Sequence, residues 1–421
     1  MDHFSYKNGE MCAEDVALSD IAGDIGTPFY CYSTATLQRH FRVFQNAFKG
    51  RDVVICYAVK ANSNQAVLKT LANEGAGADV VSGGELKRAL LAGIPGERIV
   101  FSGVGKTPGE IRAGLDAGIM QFSVESEPEL ELISKLAVEK GMTAPVSVRI
   151  NPDVDAKTHA KISTGKAENK FGVNWTRARD VYRRISQLEG VEAVGVNMHI
   201  GSQLTSIEPF RAAFTRLRDL VKDLRSDGHA IRNVDLGGGL GIPYNPGETA
   251  PPLPDEYGAL VGELIGGLDC RLVFEPGRMI AGNAGIIVSE VLYVKEGDAR
   301  RFVIVDAAMN DLSRPAMYGA YHDIVPVSEP ESAERDWVAD YVGPVCETGD
   351  TFAEQRLGHQ VKAGDLIAFK SAGAYGAVMS NSYNSRALVP EVMVSGASYA
   401  VVRPREDVDA LIAKDRLPDW L

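Results

Sequence analysis

Residues 53–61 read VVICYAVKA, an apolar run that closes on Lys60. A short run rich in Val and Ile, with no polar alternation, is the pattern of a strand buried on both faces. Seven further runs follow it: GADVVS (77–82), RIVFSG (98–103), MQFSVES (120–126), PVSVRIN (145–151), VGVNMHIG (194–201), NVDLGGGL (233–240) and RLVFEPGR (271–278). The stretches between them, such as NQAVLKTLANEG (64–75) and GELKRALLAGI (84–94), carry apolar residues at three- and four-residue spacing and end near glycine, as helices do.

Eight strand–helix units in about 225 residues predict an α/β fold, a (β/α)8 TIM barrel. A doubly wound sheet has the same alternation of elements. The placement of polar residues favours the barrel. Lys60, Asp79, Arg149, His199, Gly237 to Gly239 and Glu275 to Arg278 all fall at C-terminal strand ends, the face on which barrel enzymes assemble their sites. Beyond residue 285, the runs IIVSEVLYVKEG, RRFVIVDAAM, DWVADYVGPVC, GDLIAFKSAG and SYAVVRP lack intervening helices and predict a mostly antiparallel β domain, a barrel or sandwich. The expected division is an N-terminal segment over 1–30 packing with the β domain, the barrel over 31–283, and the β domain over 284–421. EPESAERD (329–336) reads as a solvated loop.

The bulk properties narrow the class. Of 421 residues, 45% are hydrophobic and 24% charged, as in an ordinary soluble protein. A net charge of −12 offers no basic excess for nucleic acid or an anionic membrane. Cys12, Cys31, Cys56, Cys270 and Cys346 form no CxxC pair and fit neither a disulfide framework nor a zinc site, so a reducing cytoplasm is expected. His3, His40, His159, His229, His322 and His359 show no metal-ligand spacing, and no metal is expected. The polar N-terminus MDHFSYKNGEMCAED is no signal peptide, and no apolar run approaches membrane-spanning length.

Four strand ends carry chemistry. Lys60 reads either as a lysine snorkelling at a strand end or as a desolvated amine of lowered pKa, poised for Schiff-base formation. His199 is either structural or a flat ring able to stack on a planar cofactor. Gly237-Gly238-Gly239-Leu240-Gly241 follows the seventh strand, where barrels often cradle phosphate on backbone N–H groups. Glu275-Pro276-Gly277-Arg278 is either a surface ion pair beside a turn or a carboxylate that keeps a pyridine nitrogen protonated, with Gly277 and Arg278 adding donors for an anion.

Taken together, YAVKAN (57–62), MHIGSQ (198–203), GGGLG (237–241), EPGR (275–278), CETGD (346–350) and AGAYG (372–376) resemble the fold-type III pyridoxal-phosphate decarboxylases, in family order. Within that family the resemblance is to the branch that converts meso-diaminopimelate to L-lysine, and it runs from TPFYCYS at 27 to the C-terminal PDWL. Pyridoxal 5'-phosphate is the implied cofactor. A homodimer with shared active sites is also implied. The resemblance makes Lys60 the Schiff-base lysine, with Asp79 near it, and places His199 on the cofactor ring with Arg149 tethering it. Ser202, Gly239, Gly277, Arg278 and Tyr375 hold phosphate, and Glu275 meets the pyridine nitrogen. Cys346 of the partner subunit reprotonates the product. Arg278, Arg314, Tyr318, Tyr375 and Glu347 contact substrate. CETGD departs from the common CESGD only by Thr for Ser, which keeps the hydroxyl. Rival readings are a decarboxylase of ornithine, arginine or carboxynorspermidine, an amino-acid racemase, or a non-enzymatic relative. Glu275 speaks against the racemase, and the presence of both Cys346 and the phosphate residues against an inactive relative.

Overall fold

A computed structural model describes residues 2–155, 170–245, 247 and 249–421. The chain divides into two compact units, one of Gln38–Pro243 and Thr249–Ile280, the other of Met1–Leu37, Tyr244–Glu248 and Ala281–Leu421.

The first unit is a closed barrel. Its strands are β1 (Val53–Ala58), β2 (Gly77–Val80), β3 (Ile99–Phe101), β4 (Gln121–Val124), β5 (Ala144–Asn151), β6 (Val191–Asn197), β7 (Asn233–Asp235) and β8 (Arg271–Phe274). Each runs parallel to the next, and β8 returns to β1 with Leu272 opposite Val53. That closing pair rules out the doubly wound alternative. The helices are α1 (Thr34–Asn46), α2 (Gln65–Asn73), α3 (Gly83–Leu91), α4 (Pro108–Asp116), α5 (Glu127–Glu139), α6 (Ala178–Ile185), α7 (Glu208–Ser226) and α8 (Pro254–Ile265). Four successive helices, α2 to α5, start on side-chain caps: Asn64, Ser82, Thr107 with Glu110 in a reciprocal capping box, and Ser126. Each cap accepts from a first-turn N–H that would otherwise lack a partner.

One feature departs from eight successive strand–helix units. After β8 the chain makes only the short helix Arg278–Ala281, and the eighth long helix, α1, precedes β1. Aromatic packing accounts for its place: Phe44 meets Tyr257 and Phe274 at centroid distances of 6.2 and 5.6 Å, and Phe48 stacks on Phe274 at 4.2 Å. The C-terminal end of α1 thus covers β8 and the flank of α8. Gly258 permits the approach, because a Cβ there would lie 3.1 Å from the Cβ of Ala47.

In the second unit, β9 (Gly285–Glu296) is central. It pairs antiparallel with β10 (Arg301–Val305), with Leu366–Phe369 and with the early strand Phe29–Ser33. Phe29–Ser33 in turn lies parallel to Glu391–Ser395, and β10 parallel to Trp337–Val342. The N-terminal sheet of Phe4–Lys7, Glu10–Ala13 and Val16–Ala17 contributes Phe4, Met11 and Val16 to a core shared with Ile286, Val288, Val392 and Val394. By compactness, residues 31–37, including the first turn of α1, group with this unit. EPESAERD is more than a solvated loop, since Arg335 grips Asp323 through two hydrogen bonds of 2.6 and 3.0 Å.

Replacing a helix-interior glycine normally stabilises a helix by about 1 kcal/mol. At Gly258 the close approach of Ala47 reverses the sign. Gly258→Val is expected to lose about 1–3 kcal/mol in urea unfolding, whereas Gly267→Ala, with nothing within 4 Å of its Cβ position, should stay near the parent.

Candidate active site

Beyond β1 the chain enters a tight turn, Val59–Ala61, which carries Lys60 at its centre. Lys60 Nζ sits 2.6 Å from Asp79 Oδ2. Asp79, on β2, is fully buried, and its other oxygen has no hydrogen-bond partner. The lysine side chain itself is 37% exposed. Of the two readings left open by the apolar run, snorkelling lysine or desolvated amine, the fold presents a partly exposed amine paired with a carboxylate. The neighbouring strand supplies a carboxylate, and the amine's surroundings are polar.

Arg149, near the end of β5, reaches Glu125 beyond β4 at 3.0 Å and lies 4.8 Å over the Phe171 ring. The second Glu125 oxygen accepts from Gly172 N at 2.7 Å. Glu125 N donates to Glu129, whose other oxygen meets Lys106 Nζ at 2.6 Å. Lys106 is buried and also donates to the carbonyls of Gly103 and Ser123. This chain of charges laces together the loops after β3, β4 and β5. Sequence reasoning missed Lys106, Glu125 and Glu129, because a lysine in SGVGKTPGE looks like any surface lysine until the loop closes over it.

His199 follows β6. Its Nδ1 accepts from Gly238 N at 3.2 Å, which leaves the ring proton on Nε2. Burial, with Arg149 and Lys60 adding repulsion, holds its pKa well below the ordinary histidine value. The ring is neutral at physiological pH. Opposite it, Gly237 and Gly239 adopt φ of 65° and 115°, and a Cβ on Gly239 would stand 2.7 Å from Gly201 O. Only glycine meets both demands. Arg278 donates to Ser202 Oγ through Nε at 3.2 Å and Nη2 at 3.1 Å. Gly277 packs under the first turn, its Cβ position 3.0 Å from the methyls of Ala58 and Ala61.

Glu275 follows β8 and is 7% exposed, with Asn197 Nδ2 donating to its Oε1 at 3.3 Å. Burial, followed by repulsion from Asp235 and Asp79, raises its pKa well above the carboxylate range. Burial likewise lifts Asp235, on β7, to about 6. Asp235 was not foreseen, and its strand signal NVDLGGGL gave no hint beyond an acid before glycines. A buried acid without a salt-bridge partner among the described residues, beside an unsatisfied Asp79 oxygen and an N–H-rich glycine turn, suits a planar ligand that brings a basic ring nitrogen and an anion.

The remaining residues singled out from the sequence lie in the second unit. Arg314 and Tyr318 bound a five-residue helix that ends on left-handed Gly319. Cys346 is exposed, its N–H donating to Asn384 Oδ1 at 3.0 Å, and exposed Glu347 accepts from Gly349 N at 3.2 Å. Tyr375 has a φ of 56° in its glycine-flanked turn. Among the histidines set aside, His3 meets Thr36, His40 meets Ile280 O, and His322 meets Arg314, while His159 lies outside the described residues. Among the described residues, no cluster of His, Cys, Asp or Glu could hold a metal, and no helix is long and apolar enough to cross a membrane.

Residues 34–282 match the family of the pyridoxal-dependent decarboxylases, over their pyridoxal-binding domain. The chain belongs to that family, and its cofactor is pyridoxal 5'-phosphate. Relatives that match nearly the whole chain include diaminopimelate decarboxylases. That of Zymomonas mobilis is 49% identical over 99% of both chains. The M. jannaschii structure, in complex with L-lysine, superposes with a TM-score of 0.94 at 38% identity, covering 100% of this chain and 99% of the other. The Helicobacter pylori structure, also with L-lysine, gives 0.90 at 41% identity over 94% and 98%.

With His199 kept neutral in the fold and its unfolded counterpart titrating near 6.5, the unfolded chain takes up the proton first. This group therefore withdraws stability as pH falls through 6.5 toward its lower folded value. Nitrogen-15 NMR of labelled histidine should show His199 as the Nε2–H tautomer at pH 7 and still neutral at about pH 5.5. An imidazolium signal at that lower pH would contradict the assignment.

Proposed function

We propose that this chain decarboxylates meso-2,6-diaminopimelate to L-lysine and CO2, as a cytoplasmic carboxy-lyase at the last step of lysine biosynthesis. The observation that carries the reading is the pairing, at one barrel mouth, of a carboxylate-held lysine with a buried acid of raised pKa. Bound pyridoxal phosphate supplies a protonated ring that takes up the electron pair left by departing CO2.

The chain's own residues prepare that site. Lys60 Nζ would hold the cofactor, and Asp79 is placed to hold the lysine amine. Glu275 would meet the ring nitrogen and, with its raised pKa, could supply the proton that nitrogen needs. Neutral His199 would lie against the cofactor ring without adding a competing cation, and Arg149, fixed by Glu125, would help to hold the ring. Ser202, Gly239, Gly277, Arg278 and Tyr375 take the phosphate, with the Arg278–Ser202 contact prealigning two of them.

Substrate choice needs groups for a second carboxylate and a second ammonium. Arg314, Tyr318, Arg278 and Tyr375 serve the carboxylate, and Glu347 the ammonium. The chain works as a homodimer, in which the partner subunit's Cys346 delivers the proton that replaces CO2.

Assayed side by side, meso-diaminopimelate should release CO2, while L-ornithine and L-arginine should react at least about a hundredfold more slowly, since each leaves Arg314 without its carboxylate. Comparable turnover of all three would overturn the substrate assignment. Glu275→Gln should lower kcat by about a hundredfold or more with cofactor still bound. Gel filtration of an active monomer would contradict the shared site.

A further inference from the structure

We propose that His322 is a positioning residue that aims Arg314 at the distal carboxylate of an amino-acid substrate. The inference rests on the role given to Arg314 above. Arg314 is 6% exposed, and His322 only 2%. Arg314 Nη1 stands 2.9 Å from His322 Nε2. A guanidinium can only donate, so Nε2 must accept, and the ring proton belongs on Nδ1. Nδ1 lies 2.8 Å from Lys370 O, a carbonyl that can only accept. Both ring nitrogens are thus committed, and the neutral tautomer follows from its two partners.

Tyr244 completes the clamp. Its ring lies 4.6 Å from the Arg314 guanidinium carbon and meets the His322 ring edge-on at 5.6 Å. The carbonyl of His322 is itself held, by Arg356 Nη1 at 2.8 Å. Arg314 therefore leans on an imidazole lone pair and an aromatic face. Both are neutral, so these contacts fix the plane of the guanidinium and preserve its charge. A carboxylate in the place of His322 would fix the same plane and spend the charge that a substrate carboxylate has to meet. Tyr318, four residues on, shares the Arg314 side of the short helix. The class of ligand served is an amino acid with a carboxylate at the end remote from the reacting carbon.

Two small molecules separate positioning from mere structure. L-Lysine retains the distal carboxylate of diaminopimelate, and 1,5-diaminopentane retains neither carboxylate. Both are titrated calorimetrically into cofactor-loaded protein. His322→Ala should weaken L-lysine binding roughly tenfold, the worth of one hydrogen bond to a charged group, and leave 1,5-diaminopentane unchanged. The KM for meso-diaminopimelate should rise by a similar factor, with kcat within about twofold. His322→Gln, whose side-chain carbonyl can accept from Arg314, should recover most of the loss, and Tyr244→Leu should show a smaller loss of the same kind. The last two variants carry the test if His322→Ala does not fold. Equal weakening of both ligands, or no weakening of L-lysine, would overturn the proposal. Arg314→Ala tells the two failures apart. If it discriminates between the ligands and the His322 variants do not, only the positioning role falls. If Arg314→Ala itself leaves L-lysine binding unchanged, the role of Arg314 falls and this inference with it.

Discussion

Closure of the barrel is the constraint on which the site depends. The pairing of β8 with β1 brings residues 219 positions apart in the sequence onto adjacent strands, so that Glu275 and Gly277 lie beside the turn that carries Lys60. An open, doubly wound sheet would place other strands between β1 and β8. Because all eight strands are parallel, every C-terminal end opens on one face, and side chains from six of them can converge there. The aromatic seam of Phe44, Phe48, Tyr257 and Phe274 covers the closing strand from outside.

Within that frame, environment separates two similar carboxyl groups. Asp79 is buried against an ammonium. Burial, and after it repulsion from Asp235 and Asp79, drives the pKa of Glu275 up. One carboxyl is thus built to hold a cation already present, the other to give a proton to a basic ligand. The contrast is set by neighbours and not by side-chain type, the usual means by which a site divides acid from counter-ion. Around them, the run of charges from Lys106 to Arg149 ties three loops together, so the polar groups at the mouth are held by loops that cannot drift independently.

Much of this was legible in the sequence, and the parts that were not have physical reasons. All eight barrel strands show as Val- and Ile-rich runs because both of their faces are buried. Strand Thr351–Gly358 does not, since TFAEQRLG sits at a sheet edge with three of its eight residues exposed. Strand Phe29–Ser33 was not singled out, and its partners, β9 and Glu391–Ser395, lie far along the chain where no local pattern reports them. Lys60, His199 and Glu275 stood out by position at strand ends. Their environments were not readable: the polar setting of Lys60 comes from a carboxylate on the next strand, and the tautomer of His199 from a backbone N–H in a loop 39 residues away. His322, set aside as one more histidine, acquires meaning only beside Arg314 and Lys370.

The central claim is that Lys60, and no other lysine, carries the cofactor. Lys106 is the informative competitor, being equally close to a carboxylate but sealed in the loops. Borohydride reduction of the cofactor-loaded protein, followed by peptide mass mapping, tests this directly. The account predicts the pyridoxyl mass on the peptide containing Tyr57-Ala58-Val59-Lys60-Ala61-Asn62, at close to one per chain. Label on the Lys106 peptide, or spread among surface lysines with Lys60 unmodified, would contradict it.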